Sequence, residues 1–323
     1  MPEPPVEVRG LVKRYGDLVA VDHVDLSVAA GDVYGYLGPN GAGKTTSLRM
    51  LLGLIRPTSG SVRIFGRDPL ADGVRALEGV AGFVEAPRFY PYLSGRKNLE
   101  LCAAFDGGGA AARIDDVLDV VELSDRAGDR VGNYSHGMRQ RLGIAGALLR
   151  DPRLLLLDEP ATGLDPAGMR DMRALVRRLA DGGMTVLLSS HLLAEVEELC
   201  NRVAIVRSGR IAFEGALADL KRTAAGGHRL RTTDDELALR ICRDQPGVTD
   251  ARREGAEIRF GAEEEAVGRL SVALVQAGAA ILALTPELAS LEQLFFRLTE
   301  DDGAPAPAPA HAPADRDAVE VPS

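Results

Sequence analysis

The sequence predicts an α/β fold: a mainly parallel sheet with helices on its faces, an inserted helical segment, and a small α+β unit towards the C-terminal end. Three observations predict it. Short, largely apolar runs at residues 33–37, 154–157 and 185–188 alternate with helix-patterned segments, the mark of strands buried on both faces. The stretch Gly38 to Thr45, G-P-N-G-A-G-K-T, joins the first of those runs directly to a helix. After Gly226-Gly227 the composition shifts, and the pattern becomes strand, helix, strand, strand, helix, strand.

Taken in order, strands are expected over residues 6–12, 19–28 and 33–37. Leu48, Leu51, Leu52 and Ile55 then recur at i, i+3, i+4, i+7, one face of a helix that stops before Pro57. A strand over 61–65 follows a Pro-Thr-Ser-Gly turn. From about 87 to 150 the pattern is helical, with helices over 99–105, 114–123 and 138–149 interrupted by Gly107-Gly108-Gly109. A strand over 154–157, a helix over 170–180, a strand over 185–188 and a helix over 191–200 continue the alternation. Residues 203–206 and 211–213 flank a Ser-Gly-Arg turn as a hairpin. In the C-terminal unit, strands over 228–231, 257–260 and 280–284 and helices over 235–243 and 264–277 give a ferredoxin-like order, closed by a helix over 290–298. The Ala-Pro repeat beyond is an extended, polyproline-biased tail that cannot bury a core.

Composition sets bounds. The chain has 323 residues, 46% of them hydrophobic and 26% charged, as in an ordinary soluble protein with room for one large or two ordinary domains. No apolar run approaches the ~18 residues of a membrane span. Met-Pro-Glu-Pro-Pro is not a signal peptide, so a membrane role would need a separate spanning chain. Cys102, Cys200 and Cys242 have no metal-ligand spacing and read as small buried hydrophobes. Of the net charge of −9, residues 301–323 hold −4, with five acidic residues against Arg316 alone. The body therefore has no electrostatic footprint for nucleic acid.

The glycine-rich stretch carries the chemistry. Gly38, Gly41 and Gly43 let the backbone wrap a phosphate chain, with Pro39, Asn40 and Ala42 between them, and loop N–H groups and a helix N-terminus face the anion. Lys44 supplies a point charge for β- and γ-phosphates, and the Thr45 hydroxyl, followed by Thr46, is placed for Mg²⁺. This defines a P-loop NTPase core. Four leucines ending in Asp158-Glu159 form its second element: a buried strand drives carboxylates to the sheet's carboxyl edge beside the loop. There Asp158 would hold Mg²⁺ and Glu159 would polarise an attacking water.

Between the two lies Tyr134-Ser135-His136-Gly137-Met138. With it the chain resembles the ATP-binding cassette (ABC) ATPases, whose L-S-G-G-Q signature it matches, and the resemblance runs from about residue 6 to 220 with every motif in family order. It implies that Tyr15 stacks on adenine and that Gly38 to Thr46 bind ATP with Mg²⁺. It further implies that Asp158 and Glu159 are the metal-side and catalytic acids, and that His191 reaches the γ-phosphate. Gly163-Leu164-Asp165 would cross between subunits, and Ser135, His136, Gly137 and Met138 would meet the ATP of a second, identical subunit. His136 stands where the family commonly has glycine or an apolar residue, facing either solvent or that nucleotide. Glu85 aligns with the glutamine that reports metal and γ-phosphate to a membrane partner. A carboxylate there can ligate Mg²⁺ but cannot donate a hydrogen bond. The run from Phe89 to Leu99 looks like the ATPases that export peptide antibiotics, and the C-terminal unit ending with Ser290 to Thr299 is similar to the accessory domain of drug-exporter ATPases.

The expected organisation is therefore an ATPase domain over 1–222, with its helical subdomain at about 87–150, an accessory α+β domain over 223–300 and a disordered tail over 301–323. The expected role is an ATP-hydrolysing subunit at the cytoplasmic face of the membrane, driving a separate integral permease, with no nucleic acid bound. Two alternatives compete: a soluble ABC ATPase acting on the ribosome or DNA, and a P-loop phosphotransferase. The first usually carries two cassettes or a coiled coil, neither seen here, and the second has no use for the signature.

Overall fold

The computed structural model describes residues 3–105, 109–224, 227–287 and 295. Its centre is a six-stranded sheet in the order β5 (Val80–Phe83), β6 (Leu154–Asp158), β7 (Thr185–Ser190), β3 (Val33–Leu37), β8 (Arg202–Arg207) and β9 (Arg210–Ala216). The first five strands are parallel, and β9 returns antiparallel to β8 as the expected hairpin. A second sheet, β2 (Leu18–Val28), β1 (Val6–Tyr15) and β4 (Ser59–Ile64), is antiparallel.

The continuous apolar runs have a direct physical cause, since both faces of the central sheet are covered. Leu155, Leu157, Val186, Leu188, Val203 and Ile205 point into a core shared with α2 (Gly95–Ala104), α3 (Ile114–Val120), α4 (His136–Leu148), α5 (Pro166–Asp181) and α6 (Leu193–Leu199). The alternate residues Leu154, Leu156, Leu187, Ala204 and Val206 point the other way, against the antiparallel sheet and α1 (Lys44–Leu51). Tyr34 and Tyr36 of β3 are buried with polar tips; their hydroxyls bond Glu214 at 3.1 Å and Ser47 at 3.1 Å, and burial pushes the Tyr36 phenol up to about 12. Cys200 and Cys242 are buried, as expected of small hydrophobes.

Beyond α7 (Leu217–Ala224), strands β10 (Gly227–Thr232), β11 (Val248–Glu254), β12 (Glu257–Ala262) and β13 (Ile281–Glu287) form a four-stranded antiparallel sheet. Its order is β11-β12-β10-β13, with α8 (Asp235–Asp244) and α9 (Glu264–Gln276) as the two connecting helices. This is the split βαβ arrangement. Leu230, Cys242, Ile258, Phe260, Leu270 and Leu274 make a separate small core there. The helix expected over 290–298, Phe295 apart, and the tail over 301–323 lie outside the described residues.

Three departures from the expected elements bear on the site. Helix α1 ends at Leu51 rather than running on to Ile55, because Gly53 N and Leu54 N turn back to bond Met50 O and Arg49 O. The helix expected to begin at His191 begins at Leu193, leaving the histidine in the connecting loop. Strand β5 was not expected at all: four residues with a central glycine give no period. Its partner makes it a strand, and the glycine is what allows the pairing. Gly82 has φ 152°, and a Cβ there would lie 1.8 Å from Leu156 O. Gly82→Ala is therefore expected to lower stability by about 2–4 kcal/mol, read from urea unfolding. Gly128→Ala, where a Cβ meets nothing within 4 Å, is the control and should cost under ~0.5 kcal/mol.

Candidate active site

Strands β6, β7 and β3 are neighbours and parallel, so their carboxyl ends open on one edge of the sheet. The polar residues of the site collect there. Strand β3 runs into the 38–45 loop, whose first amide, Gly38 N, bonds Ser190 O at the end of β7 at 3.1 Å. Backbone approach dictates two of the glycines: a Cβ on Gly38 would lie 2.4 Å from Val206 O, and one on Gly43 would lie 2.3 Å from Ala20 O. Gly43 also caps α1 in the left-handed conformation, φ 99°. The sequence thus closes the loop tightly onto β8 and β2, leaving room only for bare backbone.

Lys44, the first residue of α1, is 5% exposed. Its ammonium donates to Gly38 O at 2.8 Å and Pro39 O at 3.1 Å, and lies 3.1 Å from Glu159 Oε1. The next residue, Thr45, donates its hydroxyl to Asp158 Oδ2 at 2.9 Å. The buried Ser189 hydroxyl donates to the other oxygen, Asp158 Oδ1, and accepts from Glu159 N at 2.9 Å. Thr45 and Asp158 are hard oxygen donors held side by side at the start of a helix. That donor set fits Mg²⁺, which takes one or two protein oxygens and completes its shell with water and phosphate.

Glu159 stands in the left-handed region, φ 46°, which aims its carboxylate back across the loop. Its Oε2 accepts from the Thr162 hydroxyl at 2.8 Å and lies 2.9 Å from His191 Nδ1. Partial burial pushes its pKa up, but the Thr162 hydroxyl, the Lys44 ammonium and His191 outweigh that, and the net shift is downward. The residue is therefore a carboxylate at neutral pH, ordered by three partners on three different elements. The structure thus brings Lys44, Thr45, Asp158, Glu159 and His191 into one connected cluster. Sequence reasoning missed two members. Ser189 was passed over as part of the Ser-Ser pair before His191, and Thr162 carries no motif of its own.

The remaining expected residues lie elsewhere. Tyr15, at the end of β1, is 46% exposed, with Lys13 Nζ 4.9 Å from its ring centroid. Glu85 was expected beside Thr45 and Asp158, but the structure places its carboxylate against the Arg49 guanidinium of α1. The chain leaving β5 turns through φ 73° at Glu85, and the side chain meets Arg49. Ser135 caps α4 and accepts from Met138 N at 3.1 Å, while Asp165 caps α5 and accepts from Gly168 N at 2.8 Å. Ser135, His136, Gly137, Met138, Leu164 and Asp165 line one groove, and no residue of the 38–46 loop lines it.

Residues 21–162 match the family model described as ABC transporter. The chain is 39% identical over 295 residues to the bacitracin transport ATP-binding protein BcrA of Bacillus licheniformis, covering 91% of this chain and 96% of that one. It is 38% identical over 312 residues to the daunorubicin resistance ATP-binding protein DrrA3 of Streptomyces coeruleorubidus, covering 94% and 98%. Among solved structures, an ATP-binding subunit of an ABC transporter is 31% identical with a TM-score of 0.60, over 68% of this chain and 92% of that one. With similarity spanning nearly the whole length of both relatives, the chain belongs to the ATP-binding subunits of ABC transporters.

Proposed function

We propose that this subunit hydrolyses ATP at the cluster of Lys44, Thr45, Asp158, Glu159 and His191, and so drives a separate integral permease from the cytoplasmic face of the membrane. The observation that carries the reading is Glu159, a charged acceptor fixed between Lys44 and His191 at the mouth of the phosphate loop. In this role Glu159 accepts the proton of the attacking water and His191 stands beside the reacting phosphate. Lys44 turns from the Gly38 and Pro39 carbonyls to the β- and γ-phosphates. Thr45 and Asp158 would hold Mg²⁺, which supplies charge neutralisation for the phosphates. Tyr15 would stack on the adenine. Glu85 serves at the permease side through its pair with Arg49.

Two copies of the chain would complete each site. Ser135 and Gly137 lie in a groove apart from the phosphate loop of their own chain, so a second subunit is what brings such a groove to a bound nucleotide. The Asp165 loop then crosses between the two. The four-stranded unit, with its own core, is an accessory domain starting near residue 223. The bacitracin transport and daunorubicin resistance relatives favour export of a peptide antibiotic or a drug-like amphipathic compound.

Exchanging Glu159 for glutamine keeps its volume and removes the acceptor. Glu159→Gln should lose at least ~100-fold in ATP turnover while still binding ATP; steady-state phosphate release near the wild-type rate removes Glu159 from this role. Lys44→Ala should weaken ATP binding at least ~10-fold, measured by fluorescent-nucleotide titration with Mg²⁺; unchanged affinity contradicts the phosphate-loop reading.

The pH dependence follows from the depressed Glu159 pKa. The group is already ionised below the usual glutamate range, so the acid limb of the turnover profile should fall below that range. Its contribution to stability is present above the unfolded-state pKa and is lost as pH falls through the lower folded-state value. A turnover profile already falling at neutral pH would exclude Glu159 as the titrating base.

A further inference from the structure

One hydrogen-bond path joins the start of α4 to the hydrolytic cluster, and the mechanism above does not use it. His136 Nε2 lies 3.1 Å from the carbonyl oxygen of Thr162. A carbonyl only accepts, so Nε2 carries the proton and donates. The hydroxyl of the same Thr162 donates to Glu159 Oε2 at 2.8 Å. Thr162 N also closes back onto Glu159 O at 3.1 Å, which makes residues 159–162 one tight turn. A Cβ on Gly163 would lie 3.5 Å from His136 Nε2, so the imidazole packs directly against that turn. Half-buried, the ring lines the same groove as Ser135 and Gly137 and at the same time bonds the turn of its own chain.

We infer that His136 is a positioning residue. It holds the Thr162 turn by its carbonyl, and through the Thr162 hydroxyl it sets the Glu159 carboxylate. Glu159 needs such a support, because its left-handed backbone at φ 46° is a conformation that costs energy and persists only when its surroundings fix it. His136 is also the neighbour of Ser135, on the face of the chain that meets the nucleotide of the other subunit. The turn therefore transmits the position of α4 at one nucleotide to the general base acting on the other. The inference rests on the reading of Glu159 as that base, and its test separates the two.

The experiment is steady-state turnover of the full chain at saturating Mg-ATP, with ATP affinity titrated separately. Variants are His136→Leu, His136→Gln, Thr162→Val, the double variant His136→Leu/Thr162→Val, and Glu159→Gln. Leucine fills the same space without a donor, glutamine retains one, and valine at 162 keeps the carbonyl but loses the hydroxyl. We expect about a 5-fold fall in kcat for His136→Leu with ATP affinity within about 2-fold, the loss typical of one positioned hydrogen bond. His136→Gln should recover most of it. Thr162→Val should fall similarly, and the double variant should be no slower than the slower single, because both substitutions cut one path. Unchanged kcat in His136→Leu, multiplicative losses in the double variant, or a loss of ATP affinity in place of kcat would each overturn the positioning role. Glu159→Gln is the reference: if it is inactive while the cycle is multiplicative, only the path fails. If it turns over normally, the reading of the base fails and the inference falls with it.

Discussion

Everything at the active site depends on one constraint: the central strands are buried on both faces, so a charge can stand only where a strand ends. Leu154 to Leu157 are each 0% exposed, and Asp158, the last residue of β6, is the sole charged side chain in β3, β6 and β7. A carboxylate further back would lose its hydration with no partner to replace it, at several kcal/mol. At the strand end it has two hydroxyl donors, from Thr45 and Ser189. The parallel arrangement then aligns the three ends, and the chemistry converges on one edge.

The loop and the acids stabilise each other across that edge. The ammonium of Lys44 is nearly buried, and it is tolerated because two loop carbonyls and the Glu159 carboxylate surround it. Glu159 in turn holds an unfavourable backbone conformation because Lys44, Thr162 and His191 all take its carboxylate. The two charges thus hold one another, and the arrangement suits catalysis by placement and charge.

Behind Asp158 a second carboxylate shows how tightly the edge is packed. Glu195 of α6 is 2% exposed; burial pushes its pKa up, and its Oε2 accepts from the Ser190 hydroxyl at 2.5 Å. Ser190 also accepts from Leu192 N at 3.0 Å. The short loop between β7 and α6 is thereby pinned on both sides of His191, which explains why the helix starts two residues later than its sequence pattern indicates. A histidine free of the helix can turn its ring to Glu159.

The sequence by itself determined the strand runs, the phosphate loop, the acid pair at the end of β6 and the order of the C-terminal elements. Each is written in local periods or in residue types that only one backbone geometry suits. Tertiary structure decided what has no local signal. Strand β5 exists because β6 offers it a ladder, and Gly82 because that ladder leaves no room for a side chain. Ser189 and His136 matter through partners 31 and 26 residues away in sequence, and pairings over that span leave no trace in a window of ten residues; Thr162, three residues from Glu159, is a turn hydroxyl whose use only the folded turn reveals. Glu85 is a further case: its pair with Arg49 of α1 depends on a left-handed turn that no local period in the sequence announces. Residue type sets what a side chain can do, and the fold determines which neighbour it meets.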